Sequence, residues 1–384
     1  MVEMKRTLLF LFLLVSSLSY AQRVISSAGP WLDTNGKKIE AHGFQVFYHE
    51  QDKTYYWYGE NKEFTVPGST VWTWGIRAYA SMDFIHWEDK GLIIPPDTMD
   101  VHSPLHYSQW NDRPHIIYNK TTKKWVCWIK NMSMTVFFVL EADNFLGPYK
   151  IVNRGFRPDG YGVGDFDLYV DDATGKAYIW FERPHWELLC FTLNDTYTDI
   201  AEKNPTVVTQ SSHFFGLRPP YTREAPAHFM ANGHHYLFTS GTTGYSPNES
   251  LVTRFDDPHG KYVNLGNPHP SDTTCTSFFS QITDVVKIHG KKNLYVVVAD
   301  RWMPQLMGKM DTDKNLQQFV KQHKKRLPPE QNFEPIGEYP DYSKIARGAW
   351  DDIREATYTF LPMQFVNGMP IIEWHDTWSL DDYK

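Results

Sequence analysis

GDFDLYVDDATGKAYIWFE, residues 164–182, carries an acidic opening, an apolar run, a turn-prone cluster over Asp171 to Gly175, and an aromatic-rich second run. Side chains alternate in both runs, the period of a half-buried β-strand, and the Asp/Gly cluster between them marks a hairpin. The same layout recurs along the chain. It is found in AHGFQVFYHEQDKTYYWYGE (41–60), DRPHIIYNKTTKKWVCWIK (112–130), REAPAHFMANGHHYLFTSG (223–241) and SQITDVVKIHGKKNLYVVVADRW (280–302). Tyr56 with Tyr58, and Trp125 with Cys127, point to one face as period two requires. Further strands are expected at Ile76 to Ser81, Val136 to Glu141 and Leu188 to Leu193. The strand-turn-strand pattern ATYTFLPMQFVNGMPIIEW, residues 356–374, would help to close the set. Long helical periodicity is absent, with one short helix expected over Leu316 to His323.

One such unit cannot bury both of its faces alone. Five arrayed radially cover one another, so the reading is an all-β, five-bladed β-propeller. A β-sandwich with a second β domain is the alternative arrangement. A single propeller domain would span residues 22–384. Before it, Lys5 and Arg6 precede an apolar stretch from Thr7 to Leu18, and Ser19-Tyr20-Ala21 has the small residues of a cleavage site. Residues 1–21 therefore read as a secretory signal peptide cut near Ala21, which places the mature protein in the periplasm or outside the cell. The apolar stretch is shorter than the roughly 20 residues of a membrane span, so membrane insertion is not expected.

Composition narrows the partners. The net charge of −7 argues against nucleic acid or an anionic membrane, which favour basic patches, and is compatible with a neutral polysaccharide. Aromatic residues make up 16% of the chain, suited to a rich core or to stacking on sugar rings. Cys127, Cys190 and Cys275 are too few and too widely spaced for a disulfide framework, and the first two read as buried thiols. His234-His235 lacks the spacing of a zinc site. The run Lys321 to Arg326 reads as a solvated loop, and neither a phosphate loop nor a G-x-S-x-G elbow is present.

In a propeller, the first strand of every blade lines the central channel. Gly43, Asp112, Asp165, Glu224 and Gln281 open those strands and should gather at one mouth. Carboxyls brought together there suit glycosidic cleavage, in which a protonated acid donates to the leaving oxygen and a second group activates water. Glu224 could instead pair with Arg223 at a strand end, and Asp165 could be a turn residue.

RPHIIYN, GDFDLYVDD with GKAYIWFE, REAPAHF followed by TSGTTGYSPN, and ADRW resemble the blade motifs of glycoside hydrolase family 43 over about Ala41 to Trp378. AHG with YYWYGENK, and SGTTGYSPN, resemble more narrowly its exo-β-1,3-galactanase branch. The resemblance implies that Glu224 is the general acid and that Asp165 orients it and tunes its pKa. Most of the family opens the first blade with His-Asp-Pro, the Asp being the base. Here His42-Gly43-Phe44 stands instead, so that aspartate is missing. In the galactanase branch a fifth-blade glutamine has been proposed as an imidic-acid base, and Gln281 matches it. A plain amide that hydrogen-bonds sugar or water is the other role open to Gln281. Glu60 matches a substrate-contacting acid, and Asp112 stands where the branch usually has Glu. His42, Gln45, Trp72, Trp74, Tyr245, Arg301 and Trp302 complete the candidate sugar contacts, and Phe44 is expected to narrow the pocket.

What the resemblance implies is a secreted, exo-acting, inverting glycosidase that releases galactose from β-1,3-galactan of plant arabinogalactan. An α-L-arabinofuranosidase, or a propeller that binds polysaccharide without cleaving it, are the alternatives. No cofactor is required. Relatives sometimes hold calcium or water in the channel, and the sequence leaves a structural calcium open.

Overall fold

The computed structural model describes residues 23–184, 187–203, 205–208, 222–305 and 353–384. The proposed signal peptide, the short helix at Leu316 to His323 and the basic run Lys321 to Arg326 lie outside the described residues. Five four-stranded antiparallel sheets account for nearly all of the secondary structure. Blade one is β2 (His42–His49), β3 (Thr54–Glu60), β4 (Ile76–Ser81) and β5 (Glu88–Ile94). Blade two is β6 (Asn111–Asn119), β7 (Lys124–Asn131), β8 (Val136–Ala142) and β9 (Lys150–Phe156). Blade three is β10 (Phe166–Val170), β11 (Ala177–Arg183), β12 (Glu187–Thr192) and β13 (Thr206–Val207). Blade four is β14 (Arg223–Ala231), β15 (His234–Gly241), β16 (Leu251–Phe255) and β17 (Val263–Gly266). Blade five is β18 (Gln281–Lys287), β19 (Tyr295–Arg301), β20 (Thr357–Val366) and β21 (Met369–Ile372). A short outer ladder pairs β1 (Val24–Ser26) with β22 (Thr377–Ser379), tying the two ends of the described chain together.

The innermost strands touch in a closed cycle: β2 with β6, β6 with β10, β10 with β14, β14 with β18, and β18 with β2. That ring defines a five-bladed propeller. The hydrophobic residues sort the same way, into one cluster at each interface between neighbouring blades. Trp57, Phe84 and Trp87 of the first blade meet Val296, Tyr358 and Phe360 of the fifth. Trp128 and Phe137 of the second meet Phe166 and Phe181 of the third. Several of these indoles have a polar partner within the core: Trp57 donates to the Ala41 carbonyl at 3.2 Å and Trp128 to the Tyr197 carbonyl at 2.7 Å. Those two rings bury large area with their N–H groups paired, whereas the buried Trp87 Nε1 has no hydrogen-bond partner. Cys127 and Cys190 are buried thiols, and no disulfide forms among the described cysteines.

The inner strands share a device that prepares the site. Each of blades one, two and four has a register shift just after its opening residue, between His42 and Gln45, Asp112 and His115, and Glu224 and Ala227. At that step Gly43, Arg113 and Ala225 take left-handed backbone angles, with φ of 54°, 48° and 50°. An extra residue in one strand bends it and re-aims the side chains on either side. For Arg113 and Ala225 the left-handed conformation costs about 1–2 kcal/mol each, which the surrounding ring must offset.

Candidate active site

One mouth of the channel opens into a cavity of about 330 Å³. Glu60, Asp112, Asp165, Glu224 and Gln281 line it, one from each blade, together with Trp72, Trp110, Tyr245 and Trp302. The strand pairing explains the convergence. Opening residues face the ends of the second strands across the ladder: His42 opposite Glu60, Asp112 opposite Lys130, Glu224 opposite Ser240, and Gln281 opposite Asp300. The second blade delivers both members of its pair, Asp112 and Lys130, to the cavity, whereas Glu60, Glu224 and Gln281 reach it as one member of theirs.

Glu224 is buried, and Arg223 does not pair with it. The Arg223 guanidinium is turned away, donating to Thr239 Oγ1 at 3.0 Å, the Thr239 carbonyl at 2.6 Å and the Glu249 carbonyl at 2.8 Å. Burial, then the negative charges of Asp165 and Glu182, push the Glu224 carboxyl well above its ordinary range, although Lys130 and Arg113 pull the other way. Asp165 shows the opposite behaviour. Burial works against its charge, but Lys130 and Arg113 overcome this and hold it at about 2. Lys130 Nζ lies 2.5 Å from Asp165 Oδ1 and Arg113 Nε lies 3.2 Å from Oδ2. One carboxyl is thus kept protonated beside another kept ionised, which is how a site separates a proton donor from a fixed anion.

The rest of the floor is a charge network. Glu60 Oε1 accepts the Arg113 backbone N–H at 2.7 Å, and Oε2 lies 2.8 Å from Lys62 Nζ. Burial raises its pKa, Lys62 opposes this and Asp112 reinforces it, leaving Glu60 at about 7. Asp112 accepts the Trp72 indole N–H at 2.6 Å, and the Lys62 and Lys130 ammonium groups stand 3.5 Å and 3.7 Å away. Gln281 Oε1 accepts from Trp302 Nε1 at 3.1 Å and from Arg113 Nη2 at 3.4 Å, while Nε2 reaches Ser240 Oγ at 2.9 Å. Above the floor, Trp72 stacks on Trp110 at 4.9 Å, and Tyr245 packs on Trp302 at 4.7 Å. Half of the Trp110 surface is exposed, leaving a flat ring available to a sugar face.

Four expected contacts lie elsewhere. His42 is wholly buried between the first and fifth blades, with Nδ1 2.9 Å from Asp300 Oδ1 and Nε2 3.2 Å from the Tyr358 hydroxyl. Gln45, past the register shift, points down the channel, where its Nε2 donates to the Thr283 carbonyl at 3.2 Å and Asp167 Oδ1 at 3.4 Å. Trp74 packs on Phe64 and Tyr107 at the side of the mouth. Arg301 lies on the opposite strand face from Asp300 and Trp302, its guanidinium 5.3 Å from the Trp374 ring centre. Phe44 does not narrow the pocket either. It is fully buried among Trp57, Tyr358 and Phe360, on the core side of the shifted strand. Sequence reasoning missed Lys130, Arg113, Lys62 and Trp110. Lys130 had a usable signal, a lone cation ending the strand WVCWIK directly opposite Asp112.

As for a channel ion, among the described residues no group of three or more His, Cys, Asp or Glu side chains is arranged to hold a metal. Asp167, two residues further along the inner strand than Asp165, is engaged by His115 Nδ1 at 2.6 Å and by the His228 backbone N–H. No described helix is long and apolar enough to cross a membrane.

A propeller whose mouth gathers a protonated carboxyl, an ionised one and stacked aromatic rings has the equipment of a glycoside hydrolase. Glycosyl hydrolases family 43 matches residues 26–311, and the chain belongs to that family. It is accordingly a glycosidase with an oligosaccharide or polysaccharide substrate. Solved structures agree in fold. A family-43 β-1,3-galactosidase, BT0265, is 25% identical with a TM-score of 0.70, over 94% of this chain and 64% of its own length. Another, BT3683, with galactodeoxynojirimycin, is 24% identical with a TM-score of 0.71, over 93% of this chain and 100% of that one. The exo-β-1,3-galactanase of Phanerochaete chrysosporium with galactose is 21% identical with a TM-score of 0.68, over 93% and 68%. No curated protein sequence matches the chain.

Proposed function

We propose that the protein is an exo-acting, inverting β-1,3-galactanase, releasing galactose from the galactan backbone of plant arabinogalactan, and that it acts after export. The observation that carries this reading is the pairing of Glu224, buried and held protonated, with Asp165, held ionised by Lys130 and Arg113, in one aromatic-walled cavity. Glu224 gives its proton to the glycosidic oxygen as the bond to the anomeric carbon breaks. Asp165 keeps that proton in place by its charge and accepts the Ala225 N–H beside it. Trp110 and Trp72 offer a stacking face, and Asp112 and Tyr245 stand within the cavity as partners for sugar hydroxyls. Galactose as the released sugar is supported by the galactosidase and galactanase neighbours. Export is supported by the basic, apolar and small-residue run of residues 1–21.

The test is release of monosaccharide from β-1,3-galactan and from an aryl α-L-arabinofuranoside, with the anomer of the first product read by NMR. Galactose should appear as the α-anomer from the β-linked substrate. The Glu224→Gln variant should lose about 10²–10⁴-fold in kcat, the usual contribution of a general acid. Arabinose release would replace the galactanase reading with the arabinofuranosidase one. Binding without product from either substrate would leave a carbohydrate-binding propeller.

A further inference from the structure

Inverting hydrolysis needs a second group, one that takes a proton from the attacking water, and the roles above leave it unassigned. Besides Glu224, the carboxyl and amide side chains of the cavity are Asp165, Asp112, Gln281 and Glu60; the Thr242, Thr243 and Tyr245 hydroxyls also line it but are too weakly basic to take a proton from water. Asp165 is already engaged by Lys130, Arg113 and the Ala225 N–H, and with a pKa of about 2 it is a feeble base. Asp112 is occupied by the Trp72 indole and faces two ammonium groups.

Gln281 could serve only as its imidic-acid tautomer, with the nitrogen as base and a proton on the oxygen. Its oxygen faces Trp302 Nε1 and Arg113 Nη2, groups that can donate but cannot accept. A hydroxyl proton there would be set against two N–H groups. The ordinary amide matches every contact: its oxygen accepts twice and its nitrogen donates to Ser240.

Glu60 remains. It uses one lone pair on the Arg113 N–H and one toward Lys62, of the roughly four a carboxylate owns. It comes from the first blade, across the ring from Glu224 on the fourth. The backbone has been cleared for it: a Cβ at Gly43 would stand 2.3 Å from Glu60 Oε1. Only a glycine, in its left-handed conformation, lets this carboxyl reach the floor of the cavity.

We propose that Glu60 is the general base that activates the water, and that Gln281 acts as a plain amide positioning Arg113 and the substrate. This rests on the hydrolase reading above. The Glu60 carboxylate removes a proton from water as the water oxygen bonds to the anomeric carbon. The electron pair of the breaking C–O bond goes to the leaving oxygen, which takes the Glu224 proton. Glu60 ends protonated and Glu224 ionised, and exchange with solvent restores both. The groups facing Glu60 are Lys62 beyond the end of its own strand, Asp112 and Arg113 on β6, and the Tyr245 phenol after β15. Because the base works ionised, the rate should rise with pH through about 7, and removing the Lys62 cation should move that limb upward.

The experiment uses the full-length protein and reduced β-1,3-galactotriose. Glu60→Gln, which keeps the side-chain shape and an acceptor for the Arg113 N–H but loses the charge facing Lys62, should lower kcat by about 10²–10⁴-fold with little change in KM. Sodium azide should restore turnover at least tenfold, yielding the α-galactosyl azide. Lys62→Met should carry the acid limb to higher pH. The proposal is overturned if Glu60→Gln keeps most of its kcat, if azide fails to rescue it, or if azide rescues Asp112→Asn or Gln281→Ala instead. Should Glu60→Gln not fold, by circular dichroism, the Lys62→Met profile decides, an unmoved acid limb being the overturning result. An active wild type silenced by Glu224→Gln but not by Glu60→Gln sinks this assignment alone. An inactive wild type removes the galactanase reading and this assignment with it.

Discussion

Replacing Lys130 with methionine should weaken the fold and shift the activity profile together. The Lys130 ammonium lies 2.5 Å from one Asp165 oxygen and 3.7 Å from Asp112, and it is almost fully buried. The Asp165 carboxyl falls from its ordinary 3.8 to about 2 in the folded protein. At about 1.4 kcal/mol per pH unit, this is roughly 2 kcal/mol of stability at neutral pH. Deleting one member of a buried ion pair commonly costs about 3–5 kcal/mol, because the other charge is left behind. Arg113 still faces Asp165, so a loss of about 2–5 kcal/mol is expected by urea unfolding at pH 7. The sign of the pH dependence follows from the depressed pKa. The ionised pair stabilises fully above about pH 4, and that contribution fades as pH falls toward about 2. Wild type and variant should therefore converge in acid. Lys130 also pulls the Glu224 proton off, so its removal should move the basic limb of the activity profile to higher pH. A loss below about 1 kcal/mol, a gap that does not narrow in acid, or a basic limb displaced downward would refute the reasoning.

Asp165→Asn should do the reverse at Glu224. With the neighbouring anion gone, the acid ionises earlier, and the basic limb of kcat/KM should move down by about one pH unit or more. Gly43→Ala should both strain the left-handed backbone and collide with Glu60. A loss of about 1–3 kcal/mol in thermal unfolding, with a large drop in kcat, is expected, and full activity would mean that the Glu60 carboxyl is not needed where it lies.

Much of this architecture could be read before any coordinates. The hairpin repeat fixed five blades because alternation and turn residues are local signals, and the five openers follow from propeller geometry. Glu224, Asp165, Glu60, Asp112, Gln281, Tyr245 and Trp302 do share the cavity. Two of the failures share a cause. A register shift reverses which side of a strand faces the pore, so Gln45 and Phe44 turned away from the mouth. Arg301 failed by simple alternation against its neighbours Asp300 and Trp302. Lys130 and Arg113 were hidden because their importance lies in pairing across strands and blades, which no single stretch of sequence displays.

The left-handed step at Gly43, Arg113 and Ala225 carries an evolutionary consequence. It uncouples the rim of the wheel from its hub. Beyond the step, side chains interlock with neighbouring spokes and tolerate little change. Before it, Asp112 and Glu224 face the cavity and not those seams, although His42 is still held in one. A lineage could thus rewrite its bond-breaking apparatus one spoke at a time, moving a carboxylate from one spoke position to another, while the wheel itself stayed as it was.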